Sequence, residues 1–281
     1  MIVSIASGKG GTGKTTVAVA LALSLSEENP VQFLDCDVEE PDAHLFLQPE
    51  IKWSLPVEVP IPEILEDRCT HCSLCSQFCA YKALAVLKDT VLVFPELCHS
   101  CGGCQLVCPV QAIKEAGKRI GVMQYGSAGK IQFIQGKLDI GQSRPTPLIN
   151  EIKKQINPRN LVVIDSPPGT SCPVVEAVRG SHFTLLVTEP TPFGLNDLKL
   201  SVEVLRQMEI PVGVIINRAG LGADSLIEDY CRQENIPIFM KIPFDREIAR
   251  AYSQGKTLIA ALPQYREKFK ELLGKIRELA R

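Results

Sequence analysis

Residues 1–16 of the chain read MIVSIASGKGGTGKTT, and this stretch decides the fold. An apolar run at residues 2–6 predicts a buried strand, a glycine-rich loop follows it, and a helical pattern begins at Lys14. The spacing G-x4-G-K-T, from Gly8 to Thr15, fits the phosphate-binding loop in full. In such a loop the glycines allow backbone N–H groups to converge on phosphates, and the helix N-terminus adds its positive dipole end.

This loop predicts a nucleotide site in which each side chain has a defined role. Lys14 would neutralise the β- and γ-phosphates of ATP, and the Thr15 hydroxyl would ligate Mg²⁺. The nucleotide-binding residues expected here are Gly8, Gly10, Gly11, Thr12, Gly13, Lys14, Thr15 and Thr16. An ordinary glycine-rich turn is the alternative, but strand, loop and helix follow in the order that the site requires.

Lys9 directly follows the first glycine of the loop, so that residues 8–16 read GKGGTGKTT. This string resembles the deviant phosphate loop of the MinD/ParA and nitrogenase-iron-protein ATPases. The resemblance implies that the chain hydrolyses ATP, that it forms a homodimer with ATP, and that Lys9 reaches across the interface to the partner's nucleotide. Lys9, Lys14 and Asp37 are therefore expected to be catalytic. A solvated loop lysine is the alternative for Lys9.

Composition restricts the classes of protein that fit. Of the 281 residues, 45% are hydrophobic and 22% charged, which suits one large domain or one domain with a small module. The formal net charge is −2 and no lysine or arginine run exceeds a pair, so no nucleic-acid partner is expected. No apolar run approaches a membrane span and no signal peptide fits, which predicts a cytoplasmic protein. In that compartment, eleven cysteines favour metal ligation over disulfides.

Eight of the cysteines form two runs of identical spacing, C-x2-C-x2-C-x3-C. This is the ligand run of bacterial two-cluster ferredoxins, in which the fourth cysteine lies too far along the chain and ligates the other cluster. The ligands assigned to one 4Fe–4S cluster are Cys69, Cys72, Cys75 and Cys108, and those assigned to the second are Cys98, Cys101, Cys104 and Cys79. Tetrahedral zinc is the alternative, but two complete copies of the iron–sulfur spacing favour clusters.

The cysteine runs predict an inserted module. Residues 60–115 are expected to form an α+β, bacterial-ferredoxin-like domain, which divides the ATPase domain into residues 1–59 and 116–281. The two runs differ at one place, because Ala80 follows the first run and Pro109 follows the second. A proline there helps to shield a cluster, so the cluster beside Ala80 is expected to be more exposed.

Two further buried strands end in carboxylates. Residues 31–34 are followed by Asp35 and then Asp37, and residues 161–164 are followed by Asp165. Because the carboxyl ends of parallel strands lie beside the nucleotide crevice, we expect these side chains there. An apolar run that ends in aspartate is also the Walker B pattern, in which Asp165 would hold a Mg²⁺-bound water. By the resemblance, Asp37 orients the attacking water and Asp35 supports the Mg²⁺ less directly; two solvated turn acids are the alternative.

The same resemblance assigns further residues to the nucleotide. Gly169 lies in a Pro-Pro-Gly loop that is similar to switch II, where its N–H would reach the γ-phosphate. Asn217 should hydrogen-bond adenine, and Pro243 and Asp245 belong to a loop that should flank the base. A strand-end cap is the alternative role for Asn217.

Strand and helix patterns alternate over residues 183–252, which predicts a doubly wound, mostly parallel α/β sheet of the P-loop NTPase class. Two alternating stretches before it, residues 120–125 and 130–135, predict a hairpin. Helices are expected over residues 14–26, 148–156 and 195–208. The last helix, residues 265–279, has an apolar face that suits packing on the sheet, so no stable membrane insertion is expected.

Three functions fit these motifs. In the leading hypothesis, nucleotide-dependent dimerisation gates electron transfer through the two clusters to a redox partner, because crossed ligands make a conduit. The second is an ATPase that assembles iron–sulfur or metal centres for a client protein, as Mrp-type relatives do; those carry a C-terminal C-x-x-C pair, whereas Cys231 stands alone. The third is a regulatory ATPase whose clusters sense redox state. Cys172 follows the loop that is similar to switch II, and a metal site that it shares between two subunits stays a hypothesis.

Overall fold

One large sheet with helices on both faces forms the centre of the computed structural model, which describes residues 1–280. The strands are β1 (Ile2–Ala6), β2 (Val31–Asp35), β3 (Glu50–Ile64), β4 (Leu84–Val86), β5 (Val91–Val93), β6 (Ile113–Ala128), β7 (Ile131–Leu138), β8 (Leu161–Asp165), β9 (Phe183–Thr188), β10 (Val212–Ala219) and β11 (Ile238–Pro243). The helices are α1 (Lys14–Leu25), α2 (Ala43–Leu47), α3 (Leu74–Phe78), α4 (Gly103–Leu106), α5 (Thr146–Lys153), α6 (Cys172–Val178), α7 (Pro192–Gln207), α8 (Asp224–Gln233), α9 (Arg246–Ser253), α10 (Leu258–Ala261) and α11 (Tyr265–Leu279).

Within residues 1–280, nine strands form the large sheet in the order β11-β10-β9-β1-β8-β2-β7-β6-β3, and β4 pairs with β5 in a separate hairpin. All strands from β11 to β7 run parallel. Strand β8 lies between β1 and β2, with Asp165 in register with Ile5 on one side and Asp35 on the other. The phosphate-binding loop and both aspartates therefore meet at the same edge of the sheet. The predicted mostly parallel α/β fold is confirmed.

Two layers of helices bury the two faces of the sheet. Helices α1, α10 and α11 pack on one face around a core that includes Leu21, Phe33 and Phe133. Helices α5 to α8 contribute buried side chains to two clusters on the other face. Helix α1 is apolar on nearly all sides because it lies between the sheet and α11.

The C-terminal helix α11 turns its apolar face toward this core. Its buried side chains are Tyr265, Phe269, Leu272, Leu273 and Ile276. Leu279, which the periodicity places on the same face, is instead 51% exposed at the end of the helix. Among residues 1–280, every helix is too short or too polar to cross a membrane.

Strands β3 and β6 extend beyond the rest of the sheet. They pair antiparallel up to Ile64 beside Ile113, whereas β7 pairs with β6 only from Gly121 onward. We call the unsupported two-stranded part, residues 57–64 and 113–120, the arm. It is a continuous extension of the sheet that projects past the carboxyl ends of β2 and β7, so the intervening segment lies beyond the same edge of the sheet as the phosphate-binding loop.

Residues 65–112 lie at the end of the arm and contain both cysteine runs with α3, β4, β5 and α4. The module boundaries expected at residues 60 and 115 lie inside the strands of the arm. Strand β3 is an edge strand of the sheet, which explains why it tolerates Pro60 and Pro62.

Several predicted limits differ from those of the structure. Helices α5 and α7 begin at Thr146 and Pro192, earlier than residues 148 and 195, because proline is favourable in the first turn of a helix. Helix α5 also ends at Lys153 rather than at residue 156. The Thr191 hydroxyl oxygen caps α7 by accepting the Gly194 N–H at 3.0 Å. Local patterns do not predict the short helices α6 and α10.

Candidate functional site

The phosphate-binding loop joins β1 to α1 and opens onto a cavity of about 480 Å³. Gly11 and Gly13 have φ values of 77° and 90°, in the left-handed region that favours glycine. Of the predicted site residues, those lining the cavity are Gly10, Gly11, Gly13, Lys14, Thr15, Thr16, Asp37, Asn217, Pro243 and Asp245. Those outside this lining are Gly8, Lys9, Thr12, Asp35, Asp165 and Gly169.

Gly8 lies against α7, where no side chain fits. A Cβ there would come 2.5 Å from the carbonyl oxygen of Asp197. We predict that Gly8→Ala lowers the free energy of unfolding by about 1–3 kcal/mol, because the loop or the helix must shift. Urea unfolding of the nucleotide-free protein measures this change. Gly10→Ala is the matched control, since a Cβ there meets no atom within 4 Å, and an equal loss in both variants would contradict the prediction.

Lys14 is buried between two carboxylates. Its Nζ lies 3.3 Å from Asp37 Oδ2 and 3.2 Å from Asp165 Oδ1. Burial lowers the pKa of Lys14, but the negative charges of Asp165, Asp37 and Asp35 outweigh this effect and the pKa is raised. Burial raises the pKa of Asp37 to about 6, although Lys14 opposes the shift. One buried cation thus balances a group of acids.

The two strand-end aspartates differ in their contacts. Asp35 is fully buried, and its oxygens accept the N–H groups of Asp37 at 3.1 Å and of Ala43 at 3.2 Å. Asp35 therefore braces the loop after β2, and burial together with Asp165 raises its pKa well above the usual value. Asp165 Oδ2 is also buried but has no hydrogen-bond partner within residues 1–280. An unpaired buried carboxylate oxygen at this position fits a Mg²⁺-bound water.

Other residues predicted to contact the nucleotide are engaged by the protein itself. The Gly169 N–H donates to the Ser7 carbonyl oxygen at 2.9 Å. Asn217 Nδ2 donates to the Thr12 carbonyl oxygen at 2.7 Å. The Asp245 carboxylate caps α9. The Gly169 N–H would therefore have to leave the Ser7 carbonyl oxygen before it could donate to a γ-phosphate. Asp245 would flank the base while its carboxylate caps α9.

Lys9 does not line the nucleotide cavity of its own subunit. Its Nζ lies 3.1 Å from Oε2 of Glu189, a buried residue directly after β9. Arg218, directly after Asn217 in β10, pairs with the other oxygen of Glu189. Local patterns do not pair these three residues. The one available signal was that Glu189 and Arg218 lie near the carboxyl ends of parallel strands, where ligand-binding loops occur.

The two cysteine runs form two cavities at the end of the arm. Cys79, Cys98, Cys101 and Cys104 line one cavity of about 180 Å³. Cys69, Cys72, Cys75 and Cys108 line a second, of about 20 Å³. Each cavity therefore brings together three cysteines of one run and the fourth of the other. Four thiols around one cavity fit the coordination that a 4Fe–4S cluster needs.

The two runs repeat the same backbone conformation. Three matched positions have positive φ in both, with values of 52° and 56° at His71 and Ser100, 65° and 69° at Ser73 and Gly102, and 54° and 49° at Lys82 and Gln111. Non-glycine residues adopt this region rarely, so the repetition marks a constrained loop. The N–H groups of Ala83 and Ala112 donate to the sulfurs of Cys79 and Cys108 at 3.3 and 3.2 Å. Such bonds stabilise thiolate ligands.

An aromatic pair forms part of the wall of the larger cavity. Tyr81 and His99 both line it, and their rings stack with centroids 3.6 Å apart and an interplanar angle of 9°. Ala80, which stands where the other run has Pro109, lines the same cavity. The stacked rings therefore lie beside the position where the proline is missing.

The cysteines outside the two runs fall into two kinds. Cys36 and Cys231 are buried, and burial raises the pKa of both thiols, that of Cys231 to about 11. These two are core residues with little thiolate character. Cys172 is exposed as the first residue of α6.

A match to a known family decides the class of the chain. Residues 3–259 match the family described as CobQ/CobB/MinD/ParA nucleotide binding domain. The chain belongs to this family. Uncharacterized protein MJ0578 of Methanocaldococcus jannaschii is 31% identical over 99% of this chain and 97% of its own length. The Nubp2 homolog of Anopheles gambiae, named a cytosolic Fe-S cluster assembly factor, is 25% identical over 93% of this chain and 90% of its own.

Solved structures share the MinD/ParA-type fold. The septum site-determining protein MinD of Pyrococcus horikoshii, complexed with Mg-ADP, superposes with a TM-score of 0.61. It is 20% identical in sequence, and the superposition covers 100% of this chain and 98% of that one. At this identity the likeness concerns the fold alone. Fold and phosphate-binding loop together make the chain a MinD/ParA-type P-loop protein.

The MinD/ParA-type cavity also includes residues that no local motif marks. Glu40, Asp42, Arg218 and Tyr252 line it beside the predicted residues. Tyr252 lies on α9, and its ring is 5.0 Å from that of Phe46 on α2, centroid to centroid. These side chains reach the cavity only because the sheet brings the loops after β2, β10 and β11 to one edge.

Proposed function

We propose that the chain is a cytoplasmic ATPase with two 4Fe–4S clusters, in which ATP-dependent homodimerisation gates electron transfer through the clusters to a redox partner. The observation that carries this proposal is the pair of four-cysteine cavities on an arm continuous with the nucleotide-binding sheet. Residues 60–115 would be the inserted ferredoxin-like module, and residues 1–59 and 116–281 the ATPase domain.

The charge arrangement at the sheet edge supports ATP hydrolysis. Lys14 would leave its aspartates to neutralise the β- and γ-phosphates, while Thr15 and Asp165 hold Mg²⁺ directly and through water. Asp37, released from Lys14, would orient the attacking water, and Asp35 would keep the loop of Asp37 in place. No strong base is needed, because positioning and charge neutralisation supply most of the catalysis of phosphoryl transfer.

The position of Lys9 supports a role between subunits. Its side chain does not line its own cavity and is 35% exposed, so it can reach a second copy more readily than its own nucleotide. In a dimer, the Lys9 of each subunit would contact the nucleotide bound by the other. Dimerisation would then depend on bound ATP.

A row of polar side chains supports coupling between the nucleotide site and the arm. Asp35 is in register with Gln135 on β7. Gln135 Nε2 donates to Gln124 Oε1 at 2.6 Å, and Gln124 Nε2 donates to Ser54 Oγ at 3.1 Å. These hydrogen bonds cross β7, β6 and β3 and reach the strands that form the arm, and Asp35 is the neighbour of Gln135 on β2. A movement of the loop held by Asp35 would therefore shift β7 and, through these hydrogen bonds, the strands at the base of the arm.

The eight thiols of the module would hold the two clusters permanently, and each cluster would accept and release one electron. Each cavity is lined by cysteines of both runs, so a cluster bound there would tie the two runs together. This arrangement favours an electron-transfer role over a carrier role.

An assembly function is the second candidate, because the Nubp2 homolog is named an assembly factor. Cluster transfer separates the two functions. The reconstituted protein is mixed anaerobically with an apo-ferredoxin, with and without ATP, and the acceptor is isolated and analysed for iron. The electron-transfer proposal predicts that the chain keeps its clusters in both conditions. ATP-dependent appearance of iron in the acceptor would support assembly instead.

A further inference from the structure

Glu189 binds two different cations with its two carboxylate oxygens. The residue is only 5% exposed at the end of β9. Oε2 lies 3.1 Å from Lys9 Nζ, and Oε1 pairs with Arg218 Nη1. Because a buried carboxylate without a counter-ion is strongly destabilising, Glu189 requires at least one of these partners.

The main chain at Lys9 is anchored by its neighbours, whereas its side chain is partly exposed and has Glu189 as its ion-pair partner. Ser7 Oγ donates to the Lys9 carbonyl oxygen at 2.8 Å. The preceding glycine, Gly8, packs directly on the backbone of Asp197 in α7. A change of partner by Lys9 therefore involves rotation of its side chain rather than movement of the loop.

Arg218 connects the nucleotide cavity to Glu189. It lines the cavity, and its Nη2 donates to the Gly11 carbonyl oxygen at 3.2 Å. Its backbone N–H donates at 3.0 Å to Oδ1 of Asn217, the residue expected at the adenine. Arg218 thus touches the phosphate-binding loop, the base side of the cavity and the carboxylate that holds Lys9.

We propose that Glu189 is the positioning residue for Lys9, holding it in its own subunit until ATP is bound, and that Arg218 is the counter-ion that remains when Lys9 leaves. This inference rests on the proposed ATP-dependent homodimer. Breaking the Lys9–Glu189 pair is inexpensive because one partner is partly exposed and Glu189 stays paired with Arg218. Without Arg218, the same step would leave a buried carboxylate unpaired.

The proposal predicts opposite effects of two substitutions on the ATP concentration at half-maximal dimerisation. Glu189→Gln removes the charge that holds Lys9 and should lower this concentration about three- to tenfold. Arg218→Met leaves Lys9 as the counter-ion of Glu189 among residues 1–280 and should raise this concentration by at least a similar factor. If Lys9, Glu189 and Arg218 only stabilised the fold, both variants would dimerise more weakly.

Sedimentation velocity with Mg²⁺ and β,γ-imido-ATP measures the dimer. Two further variants separate the contributions of Arg218. Arg218→Lys keeps a cation for Glu189 and should return the half-maximal concentration toward the wild-type value. The double variant Glu189→Gln with Arg218→Met should dimerise at a lower half-maximal concentration than Arg218→Met alone, because no counter-ion is needed once the charge of Glu189 is removed, although the contact of Arg218 with Gly11 is lost in both.

Acetylation of Lys9 in the nucleotide-free monomer, followed by mass spectrometry, gives a readout that does not need a dimer. Glu189→Gln should raise the labelling rate of Lys9 several-fold relative to that of Lys130, an exposed lysine in the turn between β6 and β7. If wild type does not dimerise, the proposed function fails and the labelling alone decides whether Glu189 holds Lys9. If wild type dimerises, shifts in the same direction in both variants, or unchanged Lys9 labelling, would overturn the inference.

Discussion

Cys79→Ala and Cys101→Ala, combined in one chain, should lose no more iron than either substitution alone, whereas Cys79→Ala combined with Cys72→Ala should lose nearly all of it. The reason is that Cys79 lines the cavity of the second run and not that of its own. Each single variant should retain about four of eight iron atoms per chain after anaerobic reconstitution. Iron analysis with electron paramagnetic resonance of the reduced protein measures both effects.

The control for these variants is Cys172→Ala, which removes an exposed cysteine outside the two cavities. It should keep the full iron content and the ATPase activity, and a loss of iron there would revive the shared-metal hypothesis. Ligation within each run would reverse the result for the double variants. In that case Cys79→Ala and Cys72→Ala would damage one cluster together, and the crossed assignment would be wrong.

Lys14→Met should abolish ATP hydrolysis and also change the stability of the nucleotide-free protein. The rate should fall by at least about 100-fold, since no other cation of the loop can neutralise the developing phosphate charge from that position. Removal of a buried cation from between Asp37 and Asp165 should lower the free energy of unfolding by about 3–5 kcal/mol at neutral pH. Phosphate release and urea unfolding measure the two effects.

The loss of stability in Lys14→Met should depend on pH with a defined sign. Burial already raises the pKa of Asp35 and raises that of Asp37 to about 6 in the wild type, and the loss of Lys14 raises both further. The folded state then binds more protons than the unfolded state, so its stability increases as the pH falls. The difference from wild type should be greatest above pH 6 and shrink toward about pH 4, near the unfolded value.

The conservative variant Lys14→Arg is the matched control for charge. It keeps a cation between the aspartates and should retain more stability than Lys14→Met, while the larger head group still impairs hydrolysis. Equal stability of Lys14→Met and wild type across this pH range would contradict the account of a buried charge cluster. Normal hydrolysis by either variant would contradict the assigned role of Lys14.

Local motifs predict those parts of the molecule whose geometry is set by neighbours along the chain. The phosphate-binding loop is one example, because Gly11 and Gly13 adopt the left-handed conformation within a few residues of Lys14. The cysteine spacing is another, because it constrains each loop to the same φ values at matched positions. The parallel direction of the strands and the edge at which Asp35 and Asp165 meet follow from the alternation of strands and helices.

The remaining features depend on contacts between distant parts of the chain. Lys9 meets Glu189, and Tyr81 meets His99, only after the strands and the two runs are assembled. The length of the arm cannot be predicted from the sequence, because a segment with several prolines is typical of a linker. Only the edge position of β3 in the sheet explains why a strand tolerates them. The boundaries of the inserted module therefore remain a proposal, although the ligand spacing within it is explicit in the sequence.

The most direct test of the central claim is an anaerobic redox titration of the reconstituted protein with Mg²⁺ and either ADP or β,γ-imido-ATP. Lys14→Met, titrated in parallel, controls for effects of nucleotide that do not involve the site. If nucleotide state gates the clusters, the midpoint potential of at least one cluster in wild type should shift by about 60 mV or more between the two nucleotides, a tenfold change in equilibrium. Identical potentials for both clusters with either nucleotide would contradict the account.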